Sequence, residues 1–194
     1  MARDGELLRE AIAVEGTAQR ALLAGEPFAA GFMGAAALYR ESWEAAVPEA
    51  YGRLVGLIKA AVIGGDAADA AAYVVAAIPS ERDSPVAAYA HAVASLARGD
   101  DGGAGWSARE MRAGGPAFVH AAEAIEALAV RNRQGYRRAL AAIVADFEGR
   151  DAHLTGVAIA DTALMLERLA ERRGMEVRPA SALLPIAGRG PSAP

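Results

Sequence analysis

Cysteine is absent from all 194 residues, which removes a disulfide scaffold, thiol catalysis and cysteine-ligated metal together. Lysine is almost absent: of 20 basic residues only Lys59 is lysine, an imbalance that, with the alanine richness, points to a GC-rich genome rather than to a mechanism. Aromatic residues make up 6% of the chain, so the hydrophobic fraction of 54% rests largely on alanine. No apolar run reaches the roughly 18 to 20 residues that span a bilayer. The most apolar segments are broken by Arg53, Lys59, Asp66 and Asp69. A net charge of −4 and a pI near 5.5 leave no basic footprint for nucleic acid. No useful stretch alternates at period two, so no strand is predicted. The opening Met1-Ala2-Arg3-Asp4-Gly5-Glu6 lacks the apolar core of a signal peptide. These absences predict a cytoplasmic bacterial protein with no membrane and no nucleic-acid partner.

What is present is alanine, the strongest helix former, in runs separated by short turns. The turns are Ala24-Gly25-Glu26-Pro27, Gly64-Gly65-Asp66, Arg98-Gly99-Asp100-Asp101 and Arg131-Asn132-Arg133. Apolar spacing predicts helices over about 6–24, 27–46, 49–63, 67–78, 85–97, 104–113, 117–130, 134–147 and 157–173. Asp66 and Ser84 stand where N-caps are expected, and Pro85 suits a first helical position. The polar stretch from Pro79 to Pro85 divides the array, and the three glycines Gly99, Gly102 and Gly103 mark the sixth helix as weak. Leu183 and Leu184 are expected to pack back on the last helices, and residues 188–194 to form a disordered tail beyond a single domain, 1–187.

Turn spacings of 40, 34 and 33 residues fall in the range at which helix pairs stack into superhelices. In register, Leu23-Ala24-Gly25-Glu26, Ile63-Gly64-Gly65-Asp66, Ala97-Arg98-Gly99-Asp100 and Val130-Arg131-Asn132-Arg133 resemble degenerate tetratricopeptide repeats over about residues 16–148. The resemblance implies an all-α fold of antiparallel helix pairs in a right-handed array, and a groove that binds a peptide or a protein. The ending, Asp151-Ala152-His153-Leu154 and then Ala163 to Gly174, Val177 and Ser181-Ala182-Leu183-Leu184-Pro185, resembles that of helical proteins of an actinobacterial family. It is also similar to the ending of the bacterial immunity-protein family numbered forty-nine, which implies an immunity or antitoxin role.

Two groups of side chains are candidate sites. Tyr39, Trp43, Tyr51 and Arg53 combine the residue types that anchor interfaces and form the preferred contact patch. Tyr39 and Trp43, four apart, could equally cover a neighbouring helix. Asp146, Asp151, His153 and Asp161, with Glu148 and Arg150 nearby, could serve metal or acid-base chemistry. An ordinary helix end, capped by Asp151, is the preferred reading, because the spacings match no helical metal motif. Asp161 falls in an apolar helix and needs solvent or a partner such as arginine. His120 and Glu123 reverse the order used in di-iron bundles and occur once. Trp106 is expected to be a core plug, and Arg131, Arg133, Arg137 and Arg138 a solvated face. No glycine loop has phosphate-binding spacing and no serine sits in a nucleophile elbow. The leading expectation is a non-enzymatic protein- or peptide-binding module without cofactor or metal. A metal-dependent or acid-base enzyme using Asp151, His153 and Asp161 is the alternative from another class. Alanine-rich surfaces leave a homodimer open.

Overall fold

The computed structural model describes residues 3–81 and 83–185. The tail expected over 188–194 lies outside them. Among the described residues there are nine α-helices, one short 3-10 turn and no strand, so the protein is all-α. The helices are α1 (Arg3–Leu23), α2 (Ala29–Ala45), α3 (Gly52–Gly64), α4 (Ala68–Ala77), α5 (Pro85–Arg98), α6 (Asp101–Met111), α7 (Pro116–Ala129), α8 (Arg133–Glu148) and α9 (Asp161–Glu171). None is long and apolar enough to cross a membrane.

Turn chemistry fixes the helix ends. Gly25, Gly65 and Gly99 take left-handed backbone, with φ of 72°, 99° and 80°, a region glycine enters without a Cβ clash. At the fourth turn Arg131 fills that position with φ 58°, while the Asn132 side chain accepts from Gly135 N–H at 3.0 Å and so begins α8. Ser84 accepts from Ala87 N–H at 3.3 Å with Pro85 at the first helical position. Asp100 accepts from Gly103 N–H at 2.9 Å, so α6 starts at Asp101 rather than at Ala104 despite its glycines. Asp66 does not cap α4; Ala67 stands there without a side-chain bond.

Consecutive helices pack on one another, most closely α1 on α2 and α2 on α3, and α3, α5 and α7 also touch in order to form a layer. Helix α9 bridges that layer, packing on α3, α7 and α8. Buried side chains from all nine helices join one apolar core. Small residues permit the closest approaches. A Cβ on Gly31 would stand 2.9 Å from that of Ala18 across α1 and α2, and one on Gly56 would stand 2.6 Å from the Tyr39 ring across α2 and α3.

The last helix departs from the sequence expectation. It begins at Asp161 instead of Val157, because Ala160 N–H donates to Leu183 C=O at 2.7 Å and the preceding residues run outside helical geometry. Asp161 is therefore a first-turn residue, where a carboxylate is favoured by the helix dipole. Three tethers fasten α9 and the chain beyond it. Buried Glu167 accepts from Tyr136 Oη at 2.8 Å, Arg178 N–H at 2.7 Å and Val177 N–H at 3.2 Å. Arg172 donates to Gly65 C=O at 3.0 Å. Arg173, with 7% of its side chain exposed, donates to Leu96 C=O at 2.6 Å and Asp101 at 3.0 Å. Leu184 returns to the core, as its leucine pair predicts.

Candidate functional site

The four residues of the expected contact patch are divided among different environments. Tyr39 is 2% exposed, its ring seated over Gly56 and its hydroxyl donating to Glu15 at 2.6 Å, so it faces the core. Trp43 and Tyr51 are half-buried and stack with ring centroids 5.6 Å apart, covering the α2–α3 corner. Arg53 donates to Ser42 Oγ at 2.8 Å and to Asp4 at 2.7 Å, clasping the start of α1 to α2 and α3. Two of the four carry ordinary structural partners in the interior or at a helix junction, and the other two satisfy each other.

Beneath Tyr39 lies a buried charge cluster that the sequence does not reveal. Glu15 on α1 is fully buried and accepts from Tyr39 and, at 3.3 Å, from Gln19 Nε2. Lys59, the sole lysine, is 8% exposed and places Nζ 2.6 Å from Asp161 and 3.8 Å from Glu15. Burial alone would lower the Lys59 pKa, but Asp161 and then Glu15 overcome it and hold the ammonium above its ordinary range. Burial, followed by the Glu15 charge, raises the Tyr39 phenol as well. Thr155 reaches Gln19 from the loop before α9, so α1, α2, α3 and the C-terminal segment meet in one hydrogen-bonded unit. Its atoms are enclosed, and Lys59 is held charged rather than freed as a base. The partner expected for Asp161 is thus a lysine, supplied from 102 positions away.

The second candidate group does not converge. Asp161 is inside with Lys59; Asp146 pairs with Arg150, whose guanidinium lies 3.7 Å over the Phe147 ring; His153 stacks on the same ring at 6.2 Å; Asp151 is exposed. Among the described residues no group of three or more His, Asp or Glu side chains is disposed to hold a metal ion. Glu123 pairs with Arg112 at 3.8 Å and shares no ligand set with His120.

Asp146 and Arg150 instead stand at a small cleft among α5, α7, α8 and α9, of about 110 Å³. Tyr89, Phe118, Ile143 and Phe147 give it mostly apolar walls; His120 and Thr162 add polar atoms. Tyr89 and Phe118 meet edge to face at 6.1 Å. Tyr89 Oη and His120 Nδ1 are buried, and Tyr89 has Thr162 as a side-chain hydrogen-bond partner. Burial raises the Tyr89 phenol above its ordinary value, against the opposing effects of Thr162 and Lys59. Thr162 donates to Asp161 at 3.4 Å, which sets the cleft directly over the buried charge cluster.

A larger groove, about 660 Å³, runs between α6 and α8 over α7. Gly102, Gly105 and Gly135 form parts of its walls, buried Ala127 and Ala139 its apolar floor, and Arg109, Arg138, Glu123 and Glu126 its charged sides. A Cβ on Gly105 would meet nothing. Trp106, expected in the core, is 60% exposed next to the groove-lining Gly105, outside the lining itself, with Nε1 donating to Glu110 at 3.0 Å. The reason is helical phase: Ala104, Ser107, Ala108 and Met111 form the buried stripe of α6, which turns position 106 outward. Val130 is 72% exposed at the groove's end. No known protein family matches the chain, and neither a curated protein nor a solved structure is similar to it.

Proposed function

We propose that the protein is a non-enzymatic binding module of the cytoplasm. In this reading it is a tetratricopeptide-like, right-handed array of antiparallel helix pairs that grips a peptide segment of a partner protein between α6 and α8. The supporting observation is the exposed Trp106 beside a glycine-walled groove. A large aromatic ring left in water on a weak helix, next to arginines and an apolar floor, has the make-up of an interface anchor. Helix α9 packs on α3, α7 and α8, while the α6–α8 groove stays open. Glycine at 105 lowers helix stability by roughly 1 kcal/mol relative to alanine, and space for a methyl group is available. Its use is to keep the groove wide.

Affinity capture with the full chain tests the reading. Gly105→Arg, which fills the groove from a position with open space, and Trp106→Ala should each release a partner that the unaltered chain retains. Trp43→Ala, on the α2–α3 corner, should keep it. Retention by both groove variants, with folding verified by circular dichroism, would reject this surface.

A further inference from the structure

The groove between α6 and α8 carries a charge pattern that narrows what it can hold. Three carboxylates line it, Asp101, Glu123 and Glu126, and each already faces a cation. Glu126 takes Arg112 at 2.7 Å, with Glu123 3.8 Å from the same guanidinium. Asp101 takes Arg173 at 3.0 Å and Arg131 at 3.9 Å. The two arginines of the lining, Arg109 and Arg138, are exposed and form no ion pair among the described residues. Their own helices offer none, since no acidic residue stands three or four positions along the chain from either. We infer that the partner segment of this groove is acidic, with carboxylates that meet Arg109 and Arg138 and an apolar side chain that rests on Ala127 and Val130. The inference rests on the reading of the groove as the partner site.

Spacing agrees with an extended peptide. Asp101 and Arg131 meet at one end of the groove, where Val130 is exposed. Arg109 stands eight positions after Asp101, and Arg138 six after Asn132, so both lie roughly 9 to 12 Å along their helices from that end. An extended chain covers this distance in about three residues at ~3.3 Å each. An apolar side chain near Val130, with carboxylates about three residues further on, therefore matches both ends. Charge separates this ligand from others. A basic segment would set its cations against Arg109 and Arg138, while the carboxylates within its reach are already neutralised. A nucleic-acid strand carries a phosphate at every residue and draws its affinity from many cations. Two free arginines beside Glu123 and Glu126 do not supply such a field. The chain as a whole bears a charge of −4, so attraction for an acidic segment is local, within the ~8 to 10 Å that salt leaves unscreened.

The experiment is fluorescence anisotropy of dye-labelled eight-residue peptides titrated with the full-length protein. Both ends of each peptide are blocked, so that only side chains differ. One alternates leucine with glutamate, a second leucine with glutamine and a third leucine with lysine; an eight-nucleotide oligothymidylate is the fourth probe. The glutamate peptide should bind saturably and about tenfold more tightly than the glutamine peptide, and the lysine peptide should bind more weakly still. Arg109→Gln and Arg138→Gln, at exposed positions, should each lower glutamate-peptide affinity about two- to fivefold, the range of single exposed ion pairs, and leave the glutamine peptide unaffected. Raising salt from about 50 to about 500 mM should remove most of the preference. Gly105→Phe, an uncharged plug at a position with open space, should abolish binding of every peptide, with circular dichroism confirming its fold. Glutamate and glutamine peptides of equal affinity, both lost in Gly105→Phe, would overturn the acidic preference and leave the groove as the partner site. Glutamate-peptide binding that Gly105→Phe does not alter would overturn both. Oligothymidylate bound more tightly than the glutamate peptide, or no saturable binding of that peptide, would also overturn the inference.

Discussion

Replacing Lys59 by methionine tests the packing account most severely. Methionine keeps the stem of the side chain while deleting an ammonium 2.6 Å from Asp161 and 3.8 Å from Glu15. At an effective dielectric constant near 20 the two attractions amount to about 6 and 4 kcal/mol. Desolvation of three ions offsets most of that sum in the native protein. Removal of the cation alone, however, leaves two buried carboxylates uncompensated, which costs about 3 to 5 kcal/mol. That is a large fraction of the roughly 5 to 15 kcal/mol available to a folded domain, and corresponds to a fall in Tm of about 10 °C. Urea denaturation of Lys59→Met, Asp161→Asn and the double variant gives the cycle. The double variant should be more stable than the sum of the single losses predicts, by about 2 kcal/mol or more. A Lys59→Met loss below about 1 kcal/mol, or strict additivity, would refute the claim that α3 and α9 are coupled through this charge.

Other outcomes rest on the same contacts. Lys59, Tyr39 and Tyr136 all have raised pKa values when folded; for Tyr136 the cause is burial and then the Glu167 charge. Each group contributes stability that is complete below its unfolded pKa, near 10 to 10.4, and is lost as pH rises above it. These three groups together contribute up to about 4 kcal/mol per pH unit to the fall in unfolding free energy above pH ~10.5, and urea denaturation of Tyr136→Phe should show that slope reduced by about 1.4 kcal/mol per pH unit. Gly105→Ala should raise stability by about 0.5 to 1 kcal/mol in chemical denaturation, since a methyl group there meets only open space. Glu167→Ala breaks the bonds from Tyr136, Val177 and Arg178 and should expose the chain after α9 to limited proteolysis at protease levels that leave the parent intact.

Much of the fold is legible in the chain because its determinants are local. Alanine-rich apolar stripes, Gly25, Gly65 and Gly99 in left-handed turns, and Ser84 before Pro85 all act within a few residues of themselves. The fourth turn shows the limit: Asn132 aligns with those glycines in sequence, yet Arg131 takes the left-handed geometry and Asn132 serves as a cap. Asp161 shows another. Its apolar neighbours extend a helical pattern back to Val157, but a bond from Ala160 to distant Leu183 ends the helix sooner.

The interior cluster depends on partners that sequence spacing does not bring together, Glu15 with Tyr39 and Lys59 with Asp161. One signal is present in the chain: a lone lysine beside Ile58 in a helix otherwise apolar on several faces. The size of Trp106 suggests a core residue, whereas the stripe Ala104, Ser107, Ala108 and Met111 assigns it to the outer face. Side chains of the right type for an interface, Tyr39 above all, serve the core because a glycine opposite, Gly56, makes room for the ring.

The most direct test of the binding reading uses the tryptophans. Only Trp43 and Trp106 occur in the chain, so Trp43→Phe leaves Trp106, the neighbour of the groove-lining Gly105, as a single reporter. Free Trp106 should emit as a solvated indole and be quenched readily by acrylamide, in keeping with its exposure. Saturation with a peptide segment recovered by affinity capture should shift that emission to the blue and suppress quenching. An emission and a quenching constant unchanged by a bound partner would contradict the assignment of the α6–α8 groove as the partner site.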